Sequence, residues 1–307
     1  MASAPSGLVA DDGGNAVSQR RQLEARLASL RESGEIISSM KNLAFMETRK
    51  LGRLIEHQRG VVAQLDTIAA DFLAFYPDTL PPRASPNHLF LVIGSRRGFC
   101  GDFNERLVLT LQEALSERGG TKTRVLVVGH KLCRRLQSLF GLAGAIEGAD
   151  VAEEIPTVLR EIVDQLEALR ASHGVLSMSV LYQGAETAEP LMVSMLPPFE
   201  EHRGAESPWA AEPLLNLSPR RFLLELGEQY LFSALHAVLF ESLLAENERR
   251  VQHLDGAVRH LEQQVEGIRL RVQALRQEEI IEEIEVILLN AAELESTGGV
   301  VESDTAT

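Results

Sequence analysis

VQHLDGAVRHLEQQVEGIRLRVQAL, residues 251–275, decides the fold. Val251, Leu254, Val258, Leu261, Val265, Ile268, Val272 and Leu275 recur at alternating three- and four-residue steps. That spacing winds one apolar stripe along an α-helix and calls for a second helix to cover it. No proline interrupts the chain from Arg220 to Leu294, so one long helix is expected over 216–295. The stripe then fails: its next lattice points are Glu279 and Glu282, while Ile280, Ile284, Ile287 and Ala291 shift the apolar residues to another face. RQEEIIEEIE, 276–285, reads either as a polar helix end or, because it sits where the seam fails, as a stretch free to meet another protein. Residues 296–307 read as a flexible tail.

The partner for this seam lies at the other end of the chain. Leu23, Leu30, Ile37, Ala44, Leu51, Leu65 and Phe72 share one seven-residue lattice, with Gln58 filling its gap and Met40, Leu54, Val61 and Ile68 on the companion lattice. A second long helix is expected over 18–76, preceded by a disordered, solvated leader over 1–17 that lacks the basic start and apolar core of a secretory signal. Between the helices, 77–215 reads as a foot domain. YPDTLPPRASPN breaks the first helix, and HLFLVIG, TRVLVVG, VLSMSVLY and PLMVSML read as strands. NERLVLTLQEALSERGG, HKLCRRLQSLFG and AEEIPTVLREIVDQLEALRASHG read as helices between them. The fold class is α/β: a long antiparallel coiled coil of N- and C-terminal helices plus an inserted doubly wound, Rossmann-like domain.

Composition narrows the function classes. The chain has 307 residues, 45% of them hydrophobic, so a sizeable core is possible; 44 acidic against 30 basic residues argue against bulk nucleic acid as a partner. Two cysteines without ligand spacing make neither a disulfide framework nor a zinc site. No window is long and apolar enough for direct membrane insertion. His253 and His260 stand seven residues apart, too wide for a local metal pair, and no metal or cofactor is expected.

The stretch GSRRGFCGDFN, 94–104, admits three readings at its strand-to-helix turn. A phosphate cradle is weakened because Gly94, Gly98 and Gly101 fit neither GxxxxGK[ST] nor GxGxxG. A Cys100 nucleophile needs a base; His88 and His130 are conceivable on a sheet edge, but nothing in the sequence pairs them with it. A small buried thiol at a tight corner is the favoured reading. Arg249 and Arg250, in ENERRVQH, read as a solvated or bridged helix face.

Together these pieces resemble the gamma subunit of rotary F-type ATP synthases. SLRESGEIISSMKNLAFMETRKL is similar to the family's N-terminal helix signature through Ile36, Ile37, Ser39, Met40 and Ala44. RRGFCGDFN resembles its glycine corner through Arg97, Gly98, Cys100, Gly101 and Asn104. AENERRV and ALRQEEIIEEI resemble its C-terminal motifs through Glu246, Arg250, Arg276, Gln277, Ile280 and Glu283. VLVVGHK and LYQGAETAEPLMVSMLPPF extend the likeness to nearly the whole chain. The sequence departs from the family at Glu35, Arg96, Asp102 and Ile281, and a pairing of Arg96 with Asp102 across the turn is one expectation.

The resemblance implies a non-catalytic central shaft of a proton- or sodium-translocating F-type complex, either the main one or an alternative copy. It would turn inside a ring of alpha and beta subunits, with an epsilon subunit and a membrane rotor ring of c subunits at its foot. It would sit peripherally at the cytoplasmic face of a bacterial inner membrane. Met40, Lys41, Arg276, Gln277 and Glu283 are then the candidates for contact with the beta subunits. Glu246 and Arg250 are candidates for coupling between helices, and Arg97, Gly98, Cys100, Gly101 and Asn104 form a structural corner. The rival readings are a stand-alone α/β nucleotide-binding or cysteine-dependent enzyme and a coiled-coil scaffold.

Overall fold

The computed structural model describes residues 12–80, 87–118, 122–139, 141–174, 177–187, 189–204 and 211–298. Two helices frame the chain, α1 (Asp12–Phe75) and α5 (Pro219–Gly298). Residues 12–17, expected in the leader, are already helical; the rest of that leader and most of the tail lie outside the described residues. The chain divides into two compact units, one formed by Met40–Leu254 and the other by the described residues of Met1–Ser39 and Asp255–Thr307.

The larger unit is built on a sheet of five strands: β1 (Asn87–Ile93), β2 (Lys122–Val128), β3 (Gly144–Ile146), β4 (Ser177–Gln183) and β5 (Pro190–Leu196). Their order is β3-β2-β1-β4-β5; the first four run parallel and β5 lies antiparallel to β4. Parallel strands must be covered on both faces, and period-two alternation divides their side chains between two cores. Leu89, Leu91, Ile93, Leu126, Val128, Met178, Val180 and Tyr182 face α4 (Ile155–His173) together with Leu51 and Ile55 of α1 and Leu235, Val238 and Leu239 of α5. Phe90, Val92, Val125, Val127 and Leu181 face α2 (Phe103–Glu117) and α3 (His130–Leu136). A third cluster joins Ala69, Phe72 and Leu73 of α1 to Leu223 and Leu226 of α5 and to Phe199. The expected doubly wound insert is present, with β3 as a strand the sequence reading did not contain.

Within this unit α1 and α5 run antiparallel: Arg59 Nε donates to Glu241 at 2.6 Å, and the rings of Phe72 and Phe222 lie 4.8 Å apart. Glu241 also accepts the Tyr182 hydroxyl at 3.0 Å, so one buried carboxylate ties both helices to β4. The companion lattice fails here, since Leu54, Val61 and Ile68 are 38–45% exposed. The covered ridge of α1 instead runs through Leu51, Ile55, Val62, Leu65, Ala69, Phe72 and Leu73. Leu51, Leu65 and Phe72 of this ridge belong to the first lattice, so one of the two seven-residue lattices faces the core here and its companion does not.

In the smaller unit the two helices again run antiparallel. Arg20 Nε donates to both carboxylate oxygens of Glu279 at 3.0 Å, and Leu23 and Arg26 share a groove with Gln264, Gly267, Ile268 and Arg271. The acid that breaks the apolar lattice at Glu279 is thus a polar end-stop for the seam. Beyond it Ile280, Ile281, Ile284, Val286, Ile287, Leu288 and Leu289 are all at least 49% exposed.

Candidate functional site

At the end of β1 the chain turns off the sheet and enters α2 through residues 94–102. Gly94 and Gly129 end neighbouring strands in close contact. Gly94 N–H donates to the Val128 carbonyl at 2.8 Å, and a Cβ on Gly129 would stand 2.4 Å from the Gly94 carbonyl oxygen. Asn104, in the first turn of α2, reaches back to hold the loop: its Oδ1 accepts the Ser95 N–H at 3.0 Å and its Nδ2 donates to Ser95 Oγ at 2.7 Å. Cys100 Sγ lies 3.5 Å from the same hydroxyl.

This geometry favours a structural thiol over a nucleophile. Burial pushes the Cys100 thiol up, which depletes the thiolate that would attack a substrate. The two histidines considered as its base are engaged elsewhere, His88 with Ser177 at 2.7 Å and His130 beside Glu147 at 3.7 Å. The expected Arg96–Asp102 pair does not form. Arg96 donates to Glu154 at 2.9 Å and lies 3.4 Å from Asp150, whereas Asp102 takes Arg106 at 2.6 Å and faces Arg249 at 3.9 Å. Asp102 stands at the N-cap of α2, where Arg106 is one helical turn away, while Arg96 follows the strand end toward the acidic connection after β3.

From the other side α5 clamps the corner. Arg250 Nε donates to the Gly98 carbonyl at 3.2 Å and its Nη1 to Asn247 Oδ1 at 2.9 Å, while its remaining amino group meets the Glu246 carboxylate. Glu246 in turn is stabilised by the main-chain N–H of Arg97. Adjacent residues of the loop are therefore gripped at a donor and an acceptor by one buried ion pair, whose side chains are 8% and 4% exposed. Arg97 itself points outward to Asp150 at 2.9 Å.

The clamp occupies a telling place. The chain runs from β1 outward to β3 and returns through α4 to β4 on the other flank of β1, so its direction reverses between β1 and β4. Open α/β sheets seat their ligands in the crevice at the C-terminal ends of such strands. Here Ser242 of α5 donates to the Ile93 carbonyl at 3.5 Å, Ala245 packs into the core that holds Cys100 and Leu181, and Glu246 and Arg250 complete the filling. Among the described residues a hollow of about 240 Å³ lies nearby, lined by Glu186, Thr187, Glu248, Arg249 and Gln252 among others, below the usual size of a small-molecule pocket.

Burial pushes the Glu246 carboxyl from 4.5 up to about 7 against the opposing pull of Arg250. Between those two values the unfolded chain has released a proton that the folded chain keeps, so this residue's stabilising contribution is full below about 4.5 and lost as pH rises through about 7. Glu246→Gln removes the titration. Its unfolding free energy relative to the parent should therefore shift in the variant's favour between pH 5 and pH 8 in denaturant titrations; a difference independent of pH would contradict the assignment.

The other site residues expected from the sequence fall on both units. Met40 and Lys41 are half-buried on the part of α1 in the larger unit, and Arg276, Gln277 and Glu283 are exposed on the part of α5 in the smaller one. Sequence reasoning missed Ser95, Asn247, Asp150 and Glu154. Asn247 was visible beside Glu246 in AENERRV, but the partners of Arg96 lie more than fifty residues away and carry no local signal.

Comparison with known proteins follows the same lines. The sequence profile of the family described as ATP synthase matches residues 19–294. The ATP synthase gamma chain of Desulforamulus reducens is 26% identical over 292 residues, covering 90% of this chain and 99% of its own. That of Clostridium beijerinckii is 24% identical over 284 residues, covering 88% and 96%. Among solved structures, a chain of the Euglena gracilis mitochondrial ATP synthase OSCP/F1/c-ring assembly superposes with a TM-score of 0.57 at 16% identity, covering 94% of this chain and 99% of that one. A chain of the Tetrahymena thermophila mitochondrial ATP synthase central stalk/c-ring gives a TM-score of 0.53 at 18% identity, covering 72% and 99%; both likenesses bear on the fold.

Proposed function

We infer the function from kinship: this chain belongs to the ATP synthase gamma family, and its role is that of the central shaft in a rotary F-type complex. The observation that carries this reading is a family match running through both terminal helices and the insert together. A shaft works by making different contacts with otherwise equivalent neighbours. Rotation then changes which beta subunit is favoured in which state, by the difference in contact free energy. The exposed end of α5, with Arg276, Gln277, Glu283 and the apolar residues 280–289, is suited to such contacts, and Met40 and Lys41 are the corresponding candidates on α1.

On this reading the subunit is non-catalytic, turning within alpha and beta subunits that hold the nucleotide, with epsilon and the c ring as the other rotor partners. The stand-alone nucleotide-binding enzyme is disfavoured by the crevice that α5 fills. The place of work is the cytoplasmic face of a bacterial inner membrane, reached through partner subunits; no helix among the described residues is long and apolar enough to cross a membrane.

Purification of the tagged chain under mild detergent tests the proposal. Alpha, beta and c subunits should accompany it, and recovery of the chain alone or as a homo-oligomer would overturn the reading. In the intact complex, Arg276→Glu is expected to lower coupled ATP synthesis by about tenfold or more, equivalent to ~1.4 kcal/mol of barrier. Full coupled turnover in that variant would remove Arg276 from the contact set.

A further inference from the structure

We propose that Asp66, Glu201 and His202 form a binding site for a single zinc-class divalent cation that braces α1 to the connection between β5 and α5. Each residue offers one ligand atom, and the three atoms lie within 4.8 Å of one another. His202 Nε2 and Asp66 Oδ1 are already 2.7 Å apart although 136 residues separate them in sequence. An imidazole nitrogen with two carboxylates is a donor set that zinc accepts, with protein ligands at ~2.0–2.2 Å and water completing four-coordination. Tetrahedral coordination places neighbouring ligand atoms about 3.3–3.5 Å apart. The ion would open the histidine–aspartate contact slightly and draw Glu201 inward.

Glu201 and His202 lie in a short 3₁₀ turn, Glu200–His202, that follows Phe199. Phe199 is 3% exposed, with its ring 4.6 Å from that of Tyr230 and 6.5 Å from the His202 ring. Asp66 lies about one turn before Ala69 and two before Phe72, which are buried in the same apolar cluster as Phe199. Asp66 thus stands on α1 and His202 on a turn anchored by Phe199, with Glu201 exposed beside it; such anchoring limits the ordering cost of binding. Negative charge accumulates at the spot: the Tyr230 phenol is pushed up, by burial first and then by Glu201 and Asp66. The neighbouring Arg203 reaches back to Glu200 at 2.7 Å. The sequence concealed the site, because only its last two ligands are adjacent.

Calorimetric titration of the full-length chain with zinc chloride, in parallel with Asp66→Asn, His202→Ala and the control His130→Ala, is the test. The parent and His130→Ala should bind one equivalent with equal affinity and melt several degrees higher with zinc at a hundredfold excess over Kd. Asp66→Asn and His202→Ala should each bind at least tenfold more weakly and lose the zinc-dependent rise in Tm. Circular dichroism of the metal-free variants checks that they are folded, and Asp66→Asn, which preserves side-chain shape, stands in if His202→Ala is not. Unchanged affinity in both variants, absence of binding to the parent, or displacement of zinc by equimolar magnesium would overturn the proposal.

Discussion

Gly129→Ala is expected to destabilise the chain by about 3–5 kcal/mol, combining overpacking with backbone strain. Gly129 has φ +109°, and a Cβ there would meet Gly94 O at 2.4 Å, Gly94 C at 2.6 Å and Ser95 O at 2.8 Å. All three are main-chain atoms, so no side chain can swing aside. Gly94 cannot retreat either, because it is packed under Leu132 and Asn104. Two neighbouring positions give the contrast. Gly101→Ala faces open space and carries only the strain of φ +61°, about 1–2 kcal/mol, and Gly98→Ala, whose nearest neighbour would be Lys131 Cε at 3.9 Å, should be close to neutral. Urea unfolding of the three variants measures this order, and a Gly129→Ala cost below about 1 kcal/mol would refute the packing argument.

Arg250→Met is expected to cost about 3–5 kcal/mol, the range for breaking a buried pair by removing one partner. The methionine keeps most of the stem but leaves Glu246 buried without its cation, so that the carboxyl must either bind a proton or stay as a bare charge, and it deprives the Gly98 carbonyl and Asn247 Oδ1 of their donors. The double variant Glu246→Leu with Arg250→Met should recover part of the loss, since no uncompensated charge remains. A double variant as unstable as the sum of its parts would mean that the two side chains act independently, contrary to the contact between them.

Elements whose information is periodic were legible in the sequence. The seam from Val251 to Leu275 is covered at every lattice point, and so is the first lattice of α1 from Leu23 to Phe72 apart from its gap at Gln58. The alternating insert gave β1, β2, β4 and β5 with their helices in order. Short or long-range features were not legible. β3 has three residues, one of them glycine, and is a strand only because β2 offers it an edge. Leu54, Val61 and Ile68 matched a heptad but face away from the clusters into which α1 packs. The Arg96–Asp102 expectation rested on nearness in sequence, whereas each side chain was claimed by the element closest to it in space. Glu246 and Arg250 could be picked out one turn apart, but their hold on Arg97 and Gly98 required the tertiary structure.

The residues of α5 that fill the crevice beside β1 carry a consequence for the subunit's chemistry in the cell. They are covalently attached, so their effective concentration at that spot is set by the chain itself and is never diluted. A dissolved nucleotide would have to evict a resident that cannot diffuse away. Rises and falls in cellular ATP should therefore leave this corner of the chain unmoved.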